Sequence, residues 1–73
     1  MKLPRISGKQ TVEALLKAGF IIHRTKGSHY ILKNTETGRR VAVPYHRKEL
    51  ALKTLRSILK QAEISPESFS ELL

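Results

Sequence analysis

The sequence predicts an α+β domain of two layers: a three-stranded antiparallel sheet with both main helices on one face. Three observations predict it. A stretch of helical apolar spacing closes at Gly19, three strand-like runs follow, and a second, longer helical pattern covers about residues 47–62. The runs are separated by only Gly27 and the Asn34–Gly38 cluster. Links this short require antiparallel neighbours, because parallel strands need a long crossover. The order α-β-β-β-α then leaves one sheet face for the helices to cover.

Each element has its own signal. Residues 1–6 form an extended lead-in, with Pro4 opposing helix. Ser7-Gly8-Lys9-Gln10 fits the capping box, in which the serine hydroxyl takes the N3 amide and the glutamine reaches back. Val12, Leu15 and Leu16 follow at i, i+3, i+4, so the first helix is predicted at about 8–18. Phe20–Lys26 is rich in β-branched and aromatic residues and reads as the first strand. Ser28–Asn34 is the second, with His29, Ile31 and Lys33 opposing Ser28, Tyr30 and Leu32. Arg39–Pro44 is the third, and Pro44 marks a strand end or an edge because it cannot donate to a ladder. Val41, Val43 and Tyr45 share one side of it.

The second helix shows Ala51, Leu55, Ile58, Leu59 and Ala62 on one wide apolar face. Lys53, Arg56 and Lys60 fall on another. Glu49 precedes Lys53 by four residues, the favourable order for a helical pair. Ser65-Pro66-Glu67 supplies a cap, an N1 proline and an early acid for a short terminal helix at about 66–73.

Composition narrows the function. The chain has 73 residues and no cysteine. One domain, 1–73, is expected. A chain this small buries only about 60% of its unfolded surface, which leaves no room for a large cofactor or a deep catalytic centre. Absent cysteine excludes disulfides, thiolate metal sites and a cysteine nucleophile. No HxxxH, HxH or acidic cluster occurs, the chain has no aspartate for a Ser-His-Asp triad, and its glycines are scattered singly. No metal and no cofactor are therefore expected. No apolar run approaches the roughly 20 residues that span a bilayer, and the N-terminus has no apolar signal core. The expectation is a cytoplasmic protein without a membrane partner.

The net charge is +8. All 14 Lys and Arg lie in residues 1–60 with only Glu13, Glu36 and Glu49, a body of net +11. Glu63, Glu67 and Glu71 make an acidic tail. Such a body attracts nucleic acid, an anionic membrane or an acidic protein.

Lys26-Gly27-Ser28-His29 concentrates the chemistry. A glycine turn places a titratable ring at the mouth of a hairpin, between lysines and arginines. Histidine gives and takes protons near neutral pH, and a general acid or base contributes roughly 10²–10⁴-fold. RNA carries its own nucleophile, the 2′-hydroxyl, so a proton-transfer residue and nearby cations suffice without metal. His29 is thus the candidate catalytic residue. The competing reading makes it a strand-start residue hydrogen-bonded to backbone. Candidate RNA contacts are Lys9, Arg24, Lys26, Gly27, Ser28, Arg40, His46, Lys53, Arg56 and Lys60. For the stripe Lys53, Arg56 and Lys60, a solvated helix face is the simpler alternative. Tyr30 and Tyr45 can stack on bases or pack at the rim.

The chain resembles the HicA family of toxins. The shared elements are Ser7-Gly8-Lys9, Gly19-Phe20, Lys26-Gly27-Ser28-His29, Val43-Pro44-Tyr45-His46, and Thr54-Leu55-Arg56-Ser57-Ile58-Leu59-Lys60-Gln61-Ala62. They cover about residues 5–64. The resemblance implies a fold like the double-stranded RNA-binding domain and an endoribonuclease that cleaves messenger RNA with His29. It also implies a HicB antitoxin that covers the active site. Members often carry Pro-Gly before the second helix. Leu52-Lys53 stands there in this chain, so the helix is expected to run unbroken from about residue 48. The alternative is a non-catalytic RNA-binding module of the same fold, reading duplex RNA by shape.

Overall fold

Ser7 caps the first helix as its sequence requires. In the computed structural model, which describes residues 3–45 and 48–73, α1 spans Gly8–Lys17. The Ser7 hydroxyl accepts the Gln10 N–H at 3.2 Å, and the Gln10 carboxamide oxygen accepts the Ser7 N–H at 3.0 Å. Thr11 is fully buried and donates its hydroxyl proton to the Ser7 carbonyl at 2.9 Å. His46 lies outside the described residues.

Three strands follow: β1 (Phe20–Lys26), β2 (His29–Asn34) and β3 (Arg40–Pro44). They form one antiparallel sheet in the order β1-β2-β3. Asn34 organises the second turn, its side-chain oxygen accepting the N–H groups of Glu36 and Thr37 at 2.9 and 3.1 Å. Leu32, Val41 and Val43 are buried under the helices. Opposed residues share a face, so the other face is set by the register. Its three rows are Ile21, Lys33 and Arg40; Arg24, Ile31 and Ala42; and Lys26, His29 and Pro44.

A bulge decides the first strand's share of that face. The register steps from Ile22 opposite Leu32 to Arg24 opposite Ile31, leaving His23 as the extra residue. A bulge inserts one residue and so reverses the alternation beyond it. Arg24 and Lys26 consequently join His29 on the open face instead of pointing toward the helices.

The second helix, α2, spans Leu52–Ala62 and begins later than the sequence predicts. Glu49 bridges to Ser7, and the Leu50 N–H donates to the Ile6 carbonyl at 2.8 Å. Residues 49 and 50 thus spend main-chain groups on the lead-in segment, and Leu50 is buried there. Ala51 is extended and provides no side-chain cap. Leu52-Lys53 in place of Pro-Gly does not bring the helix start forward to residue 48, because these long-range bonds hold residues 49 and 50 outside it and α2 starts at Leu52. Leu55, Ile58, Leu59 and Ala62 face the core as predicted.

The last helix, α3, spans Pro66–Glu71, with Ser65 capping the Ser68 N–H at 3.1 Å. It delivers Phe69 into the core with no exposed surface. The α+β architecture is the one the sequence predicts.

Candidate active site

The turn that carries the candidate histidine is held from three directions. Gly27 has φ +60 and is followed by Ser28, a two-residue hairpin with positive φ at its first central position only. That is the type II′ pattern, which follows the natural twist of the strands and selects glycine at this position. Lys26 pairs with His29, and His29 pairs in turn with Pro44. The Tyr45 N–H donates to the Ser28 carbonyl at 2.7 Å, closing the sheet at this end. The His29 backbone is therefore central in a three-strand row.

Its side chain is exposed and makes no hydrogen bond among the described residues. The structural reading, in which His29 is tethered to backbone, finds no such bond among them. The ring stands at the rim of an open groove of about 400 Å³. Ala42 and Pro44 continue the sheet side of the groove. Lys53, Thr54, Ser57, Ile58 and Gln61 of α2 form its other wall. Among the described residues no carboxylate lines it, and their side chains offer one imidazole, one ammonium, two hydroxyls and a carboxamide, a set suited to a phosphodiester.

The open face extends this field with Arg24, Lys26, Lys33 and Arg40, interleaved with Ile21, Ile31 and Ala42. Glu36 sits in the turn beyond the far end of β2, and Glu63 is paired with Arg39 at 2.6 Å. The groove side of the sheet is thus cationic without a neutralising partner among the described residues.

Of the residues singled out from sequence, the fold gathers His29, Arg24, Lys26 and Arg40 on one face and Lys53 across the groove. Gly27 and Ser28 form the adjoining turn. Lys9 sits apart on the first turn of α1, in the helical layer. Arg56 and Lys60 line a different hollow with Leu3, Leu59, Ile64 and Pro66, so the basic stripe of α2 divides between two hollows. Tyr30 and Tyr45 stack on each other at 4.1 Å between centroids and 14° between planes, packed against the core. They brace the hairpin end from the helical side.

Sequence reasoning missed Lys33, Thr54, Ser57 and Gln61. Strand alternation already placed Lys33 beside His29. The spacing 54, 57, 61 marks one helix flank, but nothing in the sequence said which flank meets the sheet.

Among the described residues no group of three or more His, Cys, Asp or Glu is placed to hold a metal ion. No helix among them is long and apolar enough to cross a membrane. A family model described as the HicA toxin of bacterial toxin–antitoxin systems matches residues 8–64. No curated protein matches the chain. The matched span contains α1, the sheet, α2 and every residue of the groove, and stops before α3.

Proposed function

Since the chain belongs to the HicA family of bacterial toxin–antitoxin toxins, we propose that it is a cytoplasmic endoribonuclease that cuts messenger RNA at the His29 groove. The observation that carries this reading is an exposed imidazole, His29, facing the ammonium of Lys53 across a groove that no carboxylate lines among the described residues.

RNA lies along the open face with its phosphates on Arg24, Lys26, Lys33 and Arg40. His29 takes the proton of a 2′-hydroxyl as that oxygen attacks the adjacent phosphorus. The bond to the 5′ oxygen breaks, and this oxygen leaves with a proton from solvent. The products are a 2′,3′-cyclic phosphate and a 5′-hydroxyl. Lys53 lies where charge grows on the non-bridging oxygens, and fixed cations there stabilise the transition state without reorganising. Thr54, Ser57 and Gln61 can hydrogen-bond sugar or base edges. No step uses a metal. The partner protein is the cognate antitoxin, of the HicB type, seated over the groove.

The test compares wild type with His29→Ala on a long single-stranded RNA in EDTA, with end-group analysis. Wild type is expected to cut and leave a cyclic or 3′-phosphate opposite a 5′-hydroxyl. The variant is expected to lose roughly 10²–10⁴-fold in rate. Equal rates would remove His29 from the chemistry. Tight RNA binding by both without cleavage would make the chain a binding module.

A further inference from the structure

β3 is an edge strand, and its outer side has no main-chain partner among the described residues. The bond from the Tyr45 N–H to the Ser28 carbonyl fixes the parity of the β2–β3 ladder. In an antiparallel pair, alternate residues turn their main-chain groups toward the neighbour. Val41, Val43 and Tyr45 turn theirs to β2. Arg40, Ala42 and Pro44 turn theirs outward. Proline has no N–H, so the free edge presents donors at Arg40 and Ala42, with carbonyls at all three positions.

This edge carries Ala42 and Pro44 into the groove that holds His29, and α2 forms the facing wall. The opposite edge of the sheet differs. β1 carries the bulge at His23, and a bulge twists an edge away from further pairing. The β3 register is unbroken from Arg40 to Pro44.

We propose that the free edge of β3 receives an extended, acidic segment of the antitoxin as a fourth strand, and that this segment fills the groove beside His29. Added strands bind through main-chain hydrogen bonds and gain selectivity from alternate side chains. Charge selects the occupant. The chain carries +8, so a second copy meets like charge. Carboxylates on an added strand meet Arg40 on the sheet and Lys53 across the groove. An RNA strand lacks the regular amide and carbonyl repeat that matches Arg40 and Ala42. That an antitoxin exists rests on the family. That its segment blocks cleavage rests on the His29 reading, whereas the docking does not.

The experiment uses the full chain, nitrogen-15 labelled, free and in complex with its co-expressed antitoxin. Amide hydrogen exchange is read residue by residue. The Arg40 and Ala42 amides are expected to slow by about 100-fold or more on complex formation. A complex in which both exchange at the free-chain rate overturns the proposal, as does failure to form any complex. Ala42→Pro provides a second arm. It removes an outward donor without touching the β2 ladder, as Pro44 already does, and should weaken antitoxin binding about tenfold. Unchanged affinity in a folded variant overturns the proposal. If the variant does not fold, wild-type exchange decides alone. An all-2′-deoxy oligonucleotide that protects Ala42 while the antitoxin does not would assign the edge to nucleic acid and overturn the proposal. Neither arm involves cleavage, so a chain that cuts no RNA yet shows protected Ala42 keeps the docking and loses the nuclease.

Discussion

Removing cations one at a time should separate the two flanks of α2. The open face and groove present Arg24, Lys26, Lys33, Arg40 and Lys53. Arg56 and Lys60 line the other hollow. Each phosphate contact to single-stranded RNA contributes about 0.7 to the slope of log affinity against log salt. Five contacts give a slope of about −3.5, so affinity falls by about 130-fold between roughly 50 and 200 mM salt. Lys33→Ala or Lys53→Ala should bring the slope to about −2.8 and the loss to about 50-fold. Arg56→Ala and Lys60→Ala should leave it near −3.5. The assay is fluorescence anisotropy of a labelled single-stranded RNA at four salt concentrations, in a His29→Ala background so that the probe survives. If Arg56→Ala flattens the slope as much as Lys53→Ala does, RNA follows the helix stripe and the open-face path is wrong.

Other outcomes follow from burial and backbone geometry. Phe69 is fully buried, so Phe69→Ala should cost about 3–5 kcal/mol in a urea melt, a large share of the total for so small a domain. A loss well under about 1 kcal/mol would mean that α3 is not seated in solution. Leu55→Ala, also fully buried, should cost about 2–5 kcal/mol by the same measurement, and a near-neutral result would refute the assigned core face of α2. Gly27 has φ +60 with nothing within 4 Å of an added Cβ. Gly27→Ala should therefore cost only the backbone strain, about 1–2 kcal/mol. It should slow RNA cleavage further by tilting His29, and an unchanged melt and rate would show that the turn does not set the site.

Local chemistry was enough for the elements themselves. The Ser7–Gln10 box, the short hairpin links and the Ser65-Pro66 cap are interactions among neighbours in sequence, so they are legible without a fold. The same holds for placing His29 at a glycine turn, and for the alternation that puts Lys33 on the same side of its strand as His29, a signal the site reading left unused. What a residue faces across the fold is a different matter. The bulge at His23, set by pairing with β2, turns Arg24 and Lys26 onto the open face. Bonds from Leu50 and Glu49 back to residues 6 and 7 hold the start of α2 at Leu52. The packing of α2 against the sheet puts Lys53 across the groove from His29 and leaves Arg56 and Lys60 in a different hollow. Phe69 enters the core from beyond the family's matched span. The sequence by itself determined which elements form and which side chain is the candidate for proton transfer. Only the tertiary structure decided which cations surround it, because those distances depend on contacts between segments far apart in the chain.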